Sequence, residues 1–171
     1  MAKNTFFIRA SVNAGDDNTF GQTEIDLGSY TNLGSSKPEV LRIHNIVLEV
    51  ADVTGKDIPN MGADSASSLA WQLTTQTQTA MTPLTDDAYV AGGIGAFRNP
   101  DSDPFPPTQA WEQLIVPQDF TSGYVVAVPS LFLGGLGGGN WAEDVYVSVM
   151  LECTTEPMSK ANAVSLAISQ Q

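Results

Sequence analysis

The sequence predicts an all-β sandwich or barrel of about eight strands, closed by one short C-terminal helix. Three observations lead there. Apolar side chains recur at every second position in short runs, the period of a strand with one buried face. Clusters of Gly, Pro, Asn and Asp separate the runs. No helical pattern appears before residue 159, so the strand–helix alternation of a parallel α/β sheet is missing.

The first strand is Phe6 to Val12, where Phe6, Ile8, Ala10 and Val12 share one face while Arg9 and Ser11 share the other. Gly15-Asp16-Asp17-Asn18 follows as a turn, because these residues accept the backbone angles of chain reversal. Gly21, Thr23, Ile25 and Leu27 then alternate with Gln22, Glu24 and Asp26, giving a second strand with an acidic outer face that ends at Gly28-Ser29. Val40 to Val50 changes phase along its length. Leu41 and Ile43 define one face, and Ile46, Leu48 and Val50 take the opposite parity. A β-bulge at His44-Asn45 puts both sets inside, so a bulge is predicted there.

Ser68 to Gln78 sets Leu69, Trp71, Leu73, Thr75 and Thr77 against Ala70, Gln72, Thr74, Gln76 and Gln78, a second set read as solvated or interfacial. Ala88 to Val90 is a short strand running into Gly92-Gly93-Ile94-Gly95, where glycine signals flexible backbone or close approach of a neighbour. Asn99 to Pro107 holds four prolines and cannot join a sheet interior, since proline removes ladder donors. The remaining strands are Trp111 to Val116, Tyr124 to Leu133 and Asp144 to Cys153. In the last, Val145, Val147, Val149, Leu151 and Cys153 alternate with more polar residues. Ser159 caps the predicted helix, with Ala161, Val164 and Ile168 at helical spacing and Ala163, Leu166 and Ala167 widening the stripe.

The chain has 171 residues, enough for one substantial core and no second one. The predicted organisation is a β domain over 1–158 and a helix or tail over 159–171, packing on the domain or on a neighbouring subunit. Charged residues are only 15% of the chain, yet 19 acids against 7 bases give a net charge of −12. Such a surface repels phosphate backbones and anionic lipid, which are bound through clustered Lys and Arg, so neither direct nucleic-acid binding nor membrane contact by this chain is expected. A single cysteine, Cys153, excludes an intramolecular disulfide. The stretch Met1 to Val12 is too short and too interrupted for a signal-peptide core, so synthesis and folding in a cytoplasm are expected.

A search for chemistry finds no catalytic, cofactor-binding or metal-ligating set. Any triad must use His44, the one histidine, and a hydrogen-bonded histidine at a bulge is the simpler reading. Cys153 continues an apolar face, as an inert core thiol does. Structural zinc needs four Cys or His ligands and the chain has two such residues. A calcium loop starting at Asp16 fails because Phe20 and Leu27 fall where oxygen ligands are needed. Asp101-Ser102-Asp103 and Asp86-Asp87 are loop acids, with an irregular intersubunit calcium site the less favoured alternative. Gly134 to Asn140 lacks the Lys-Ser/Thr pair of a phosphate cradle and is read as a mobile or tightly approached loop. Trp71, Trp111 and Trp141 are read as core or interface residues before a sugar-binding face.

The run Phe20-Gly-Gln-Thr-Glu-Ile-Asp-Leu-Gly-Ser-Tyr-Thr-Asn-Leu33, followed by Glu39-Val-Leu-Arg-Ile-His-Asn-Ile46, resembles the first barrel strands of single jelly-roll capsid proteins from tailless icosahedral viruses with an internal membrane. Tyr124 to Leu133, the glycine-rich segment, Asp144 to Glu152 and the terminal helix look like the last hairpin and tail of such proteins. The resemblance implies an eight-stranded jelly roll, no enzymatic activity, assembly with copies of itself in a capsid lattice, with a second capsid protein or an internal membrane between shell and genome, and a place in the virion after synthesis in the host cytoplasm. The chain departs from many genome-packaging capsid proteins in lacking a basic amino-terminal arm. Candidate contact surfaces are the Pro100 to Pro107 loop, the Gly134 to Asn140 loop and the helix Lys160 to Gln171, all poor in charge. The competing readings are a receptor- or glycan-binding sandwich of a virion spike or tail, and last a small β-barrel enzyme, which the single histidine argues against.

Overall fold

Nine strands and one α-helix make up the described residues, 4–171, of the computed structural model. Met1 to Lys3, the start of the amino-terminal stretch, lie outside the described residues. The strands are β1 (Phe6–Gly15), β2 (Gly21–Asp26), β3 (Glu39–Ala51), β4 (Ser65–Thr74), β5 (Tyr89–Asn99), β6 (Thr108–Ile115), β7 (Tyr124–Val126), β8 (Ser130–Gly137) and β9 (Val145–Pro157). Helix α1 spans Lys160–Ser169.

The strands form two antiparallel sheets, ordered β1-β9-β3-β7 and β2-β8-β4-β5-β6. The first strand pairs with the last, the second with the last but one, and β3 closes over β9: the Greek-key winding of a jelly roll, with β6 added as a fifth strand to the second sheet. The alternation that predicts β1 and β9 sets their register, with Phe6 opposite Cys153 and Val12 opposite Val147. Leu69, Trp71 and Leu73 of β4 and Leu131 and Leu133 of β8 are fully buried in the same core as Val145, Val147, Leu151 and Cys153 of β9. Burying each large aliphatic side chain of this kind contributes about 1.5–3 kcal/mol against the entropy of folding.

The bulge is where the phase change puts it. Ile43 faces Cys153 and Asn45 faces Glu152, so His44 is the extra residue and Leu41, Ile43 and Ile46 all point inward. The turn at Asp16 to Asn18 also forms, with Asn18 at φ 64°.

Six expectations change. The predicted strand Tyr124 to Leu133 is two strands in different sheets, because Pro129 cannot donate to a ladder; its carbonyl instead accepts the Leu27 N–H (2.9 Å) at the corner. Gly134 to Gly137 continue β8 rather than forming a loop, and β5 runs on through Gly92, Gly93 and Gly95 to Asn99. Strand β6 starts at Thr108 and not at Trp111. Strand β4 ends at Thr74, and Gln72, expected to be solvated, is fully buried. The chain after Thr75 folds over the outside of β4: Gln72 accepts from Thr82 N–H (2.7 Å) and donates to the Ala80 carbonyl (3.1 Å), while Gln22 of β2 holds Gln78 and Thr77. The sixth concerns α1. Ser159 caps it as expected, but Ala163, Leu166, Ala167 and Gln170 face the body, packed with Val40 and Ala127, while Val164 and Ile168 point outward.

Candidate functional site

A jelly roll has two seams where its sheets meet side to side, and here they differ. At the first, β1 lies directly on β2 and β8, which only glycine permits. A Cβ on Gly137 would fall 2.2 Å from the Gly15 carbonyl oxygen, and one on Gly21 would fall 2.1 Å from that of Asn13. Gly135 and Gly137, read from sequence as part of a loop, are therefore points of contact between sheets. This seam is shut.

The second seam is open. The five-stranded sheet ends in β6, but the facing sheet ends in β7, only three residues long and paired with β3 at Leu41 to Ile43 alone. Gly123 (φ 63°) turns tightly against the Ile43 carbonyl just before β7, and Pro129 ends the segment after it. Beyond β7, the exposed edge of β3 is capped by one side chain: Gln118 accepts from the Ile46 N–H (3.0 Å) and donates to the Ile46 carbonyl (2.9 Å), in place of a neighbouring strand. Because ladder groups alternate in direction, the backbone N–H and C=O of Leu48 and Val50 face the same open edge.

Between β3 and β6 this leaves a cleft of about 460 Å³. Ile46, Leu48 and Val50 line one wall, Trp111, Leu114 and Val116 the other, and Phe97 and Trp141 also line it. Phe97 stands edge-on to both indoles, with ring centroids 6.0 Å from Trp111 and 5.0 Å from Trp141. Ile58, Pro59 and Pro107 complete the lining with Val47, Gln109 and Gln118, and among the described residues no charged side chain contributes to it. Val47 (57% exposed), Leu114 (45%) and Ile58 (59%) stand at this seam as exposed apolar side chains on a chain of net charge −12.

The other candidates occupy structural positions. His44 shares a hydrogen bond with the Thr154 hydroxyl across the bulge (2.9 Å). Beside it Asn45 bonds Glu152, and Arg42 makes a two-point ion pair with Glu156 (2.9 and 2.6 Å) while donating to the Ser122 carbonyl. That pair raises the Arg42 pKa further. Cys153 is fully buried, and burial, with Glu152 adding to it, pushes its thiol up to about 12, the opposite of an activated nucleophile. Asp17 and Asp86 accept backbone N–H bonds within their own turns. Asp101 joins the loops around Met61, whereas Asp86 lies before β5 beside Thr75, at the opposite end of the sandwich, so the two acidic pairs are not brought together within one chain. Among the described residues no three of His, Cys, Asp and Glu gather as a metal site would require. Of the tryptophans, Trp111 and Trp141 line the cleft, while Trp71 is fully buried with its indole N–H unpartnered. Sequence reasoning reached three of the cleft's residues, Trp111, Trp141 and Pro107 at the end of the proline-rich contact loop, and missed Leu114, Ile58 and Gln118, whose proximity depends on the sheet order.

No family model and no curated protein matches the sequence. Solved structures do match. VP1 of the Trichodysplasia spinulosa-associated polyomavirus in complex with 3'-sialyllactose aligns with a TM-score of 0.54 at 10% identity, over 92% of this chain and 97% of that one. The same VP1 in complex with GM1 oligosaccharide gives 0.52 at 10% identity, over 91% and 96%. VP1 of chimpanzee polyomavirus gives 0.51 at 6% identity, over 92% and 96%. These are jelly-roll capsid proteins, and the likeness shows that this chain shares their fold, a two-sheet jelly-roll sandwich.

Proposed function

We propose that the chain is a structural subunit of a virus shell, assembling side by side with copies of itself. The observation that carries this reading is the jelly roll aligned over 92% of its length with VP1 capsid proteins, with one of its seams left open and lined mainly by apolar side chains. A monomer that kept this seam in water would expose Val47, Ile58 and Leu114 together, and contiguous apolar surface of this kind marks an interaction site. The residues examined for chemistry support a non-enzymatic role, since His44 and Cys153 serve the bulge and the core. The acidic surface argues for a shell whose genome is kept away from this chain by another capsid protein or an internal membrane, as in tailless icosahedral viruses of the internal-membrane type. Synthesis in the host cytoplasm and residence in the virion complete the reading.

Glycan binding is the second reading, favoured by the sugar complexes of the similar VP1 structures. The loops at the Met61 end of this chain carry Asp16, Asp17, Asp101, Asp103, Glu143 and Asp144, which disfavour an anionic sialylated sugar and leave a neutral one. Purified full-length protein imaged by negative-stain microscopy across salt and divalent-ion conditions separates the readings. The shell reading predicts ordered particles, sheets or rings. Well-behaved monomer at high concentration, together with binding on a glycan array, would replace it with the second.

A further inference from the structure

Two of the apolar features that the fold leaves uncovered are complementary in shape, one concave and one convex. The concave one is the open-seam cleft, whose lining includes no charged side chain among the described residues. The convex one is the outward face of α1, where Ala161, Val164 and Ile168 follow helical spacing, with Val164 50% and Ile168 65% exposed. The helix cannot roll this face inward, because its other side is committed. Ala163 is buried with Val40 and Ala127. Gln170 accepts from the Ala127 N–H (3.0 Å), donates to the Val125 carbonyl (2.7 Å) and takes the Thr75 hydroxyl proton on its own carbonyl (2.6 Å).

We propose that α1 of one copy seats its Val164 and Ile168 face in the open seam of a second copy, over Leu114 and Trp111. This rests on the assembly reading and names its contact. Charge selects the occupant. Copies of net charge −12 repel each other except where charge is absent or opposite, and these two surfaces meet both conditions. Lys160 is the only charged side chain of α1 and sits in its first turn, where the backbone dipole adds further positive potential. In the chain next to the cleft residues Val50 and Ile58, the acids Glu49, Asp52 and Asp57 outnumber the single cation Lys56, so the segment bordering this end of the cleft is net negative and opposite in sign to the positive end of the helix. An apolar helix face in an apolar groove, read through side chains four apart, is a common recognition mode. Because the two surfaces are different, each copy offers one of each, and the contact either propagates around a ring or closes reciprocally in a pair.

Cysteine trapping tests this cleanly, since the chain's own Cys153 is buried and its thiol resists ionisation. Two separately tagged full-length chains, one Ile168→Cys and one Leu114→Cys, are mixed, assembled and oxidised. The expected result is a mixed disulfide at least tenfold more abundant than with Phe105→Cys, an exposed position on the Met61 end, as partner. Assemblies in which Ile168→Cys joins both partners equally, or in which Leu114→Cys joins a different segment, would overturn the helix-in-seam contact and leave the shell reading standing. Absence of any assembly in the unmodified protein would overturn both. Ile168→Asp, with its thermal melt showing a folded chain, is expected to weaken association at least tenfold; unchanged association would contradict the proposal.

Discussion

The two seams of this sandwich are made of different materials. The shut seam is built from absence: Gly21, Gly135 and Gly137 carry no side chain, so β1 rests against β2 and β8 with backbone almost touching backbone. The open seam is built from excess, with Val47, Ile58 and Leu114 standing beside a cleft that no strand of the same chain fills. The difference teaches that one side of the molecule is finished when the chain folds, and the other, on the proposed reading, is left for a neighbour to finish. It follows that substitutions at the shut seam act on stability, whereas those at the open seam act on association.

The largest expected effect is at the shut seam. Gly137→Val puts a branched side chain where even a Cβ lies 2.2 Å from backbone, so the sheets must separate, at a cost of about 3 kcal/mol or more. Chemical denaturation reads it, and a near-normal midpoint would show that the seam is softer than described. Next come two single-residue deletions in β3, the strand that borders the open seam. Removing His44 erases the bulge yet keeps Ile43, Ile46 and Leu48 facing inward against unchanged β9 partners, so a loss of only about 1–2 kcal/mol is expected. Removing Val47 three residues later turns Leu48 and Val50 outward and should prevent folding. Equal damage from the two deletions would refute the register argument.

Gln118→Ala takes away the side chain that stands in for a strand at Ile46. Water can solvate the freed groups, so a loss of about 1 kcal/mol is expected, with faster amide exchange at Ile46 as the local signature. The smallest effect belongs to the core between the seams. Cys153 keeps its proton in the fold up to a pH of about 12, whereas an unfolded thiol loses it near the usual pKa of about 8.5. Its contribution is therefore complete below about pH 8.5 and declines as the pH rises toward 12, by at most about 1.4 kcal/mol per unit. Between pH 7 and 9.5, Cys153→Ala should flatten the fall in unfolding free energy by about 1 kcal/mol. No difference between the two pH profiles would mean that the thiol is less buried than the fold requires.

What the sequence made legible was local. Period-two alternation found β1, β2, β3 and β9, and a parity change within β3 placed the bulge at His44, since both need only the knowledge that one face is buried. The break at Pro129 was hidden because Val126, Ala127 and Val128 are all buried on either side of the corner, which reads as one continuous apolar strand. Glycine was ambiguous for a deeper reason. Gly134 to Gly137 satisfy a turn or a close approach equally well, and the deciding partners, Val12 to Gly15, are more than a hundred residues away. Helix α1 posed the same difficulty in another form. It carries two apolar stripes, and only the positions of Val40, Ala127 and Thr75 decide that Ala163 and Gln170 dock while Val164 and Ile168 are left free. The cleft was the least legible, because it exists only where a fifth strand overhangs a three-residue one.

Sedimentation velocity on the unmodified protein beside Leu114→Asp, at matched concentration and ionic strength, tests the central claim most directly. Leu114 is 45% exposed, so its replacement should leave the melting transition within about 0.5 kcal/mol of the original. The predicted result is a defined oligomer or particle from the unmodified chain and a monomer from the variant. Identical distributions from two equally folded proteins, whether both monomeric or both assembled, would contradict the assignment of the open seam as the surface through which this jelly roll meets its copies.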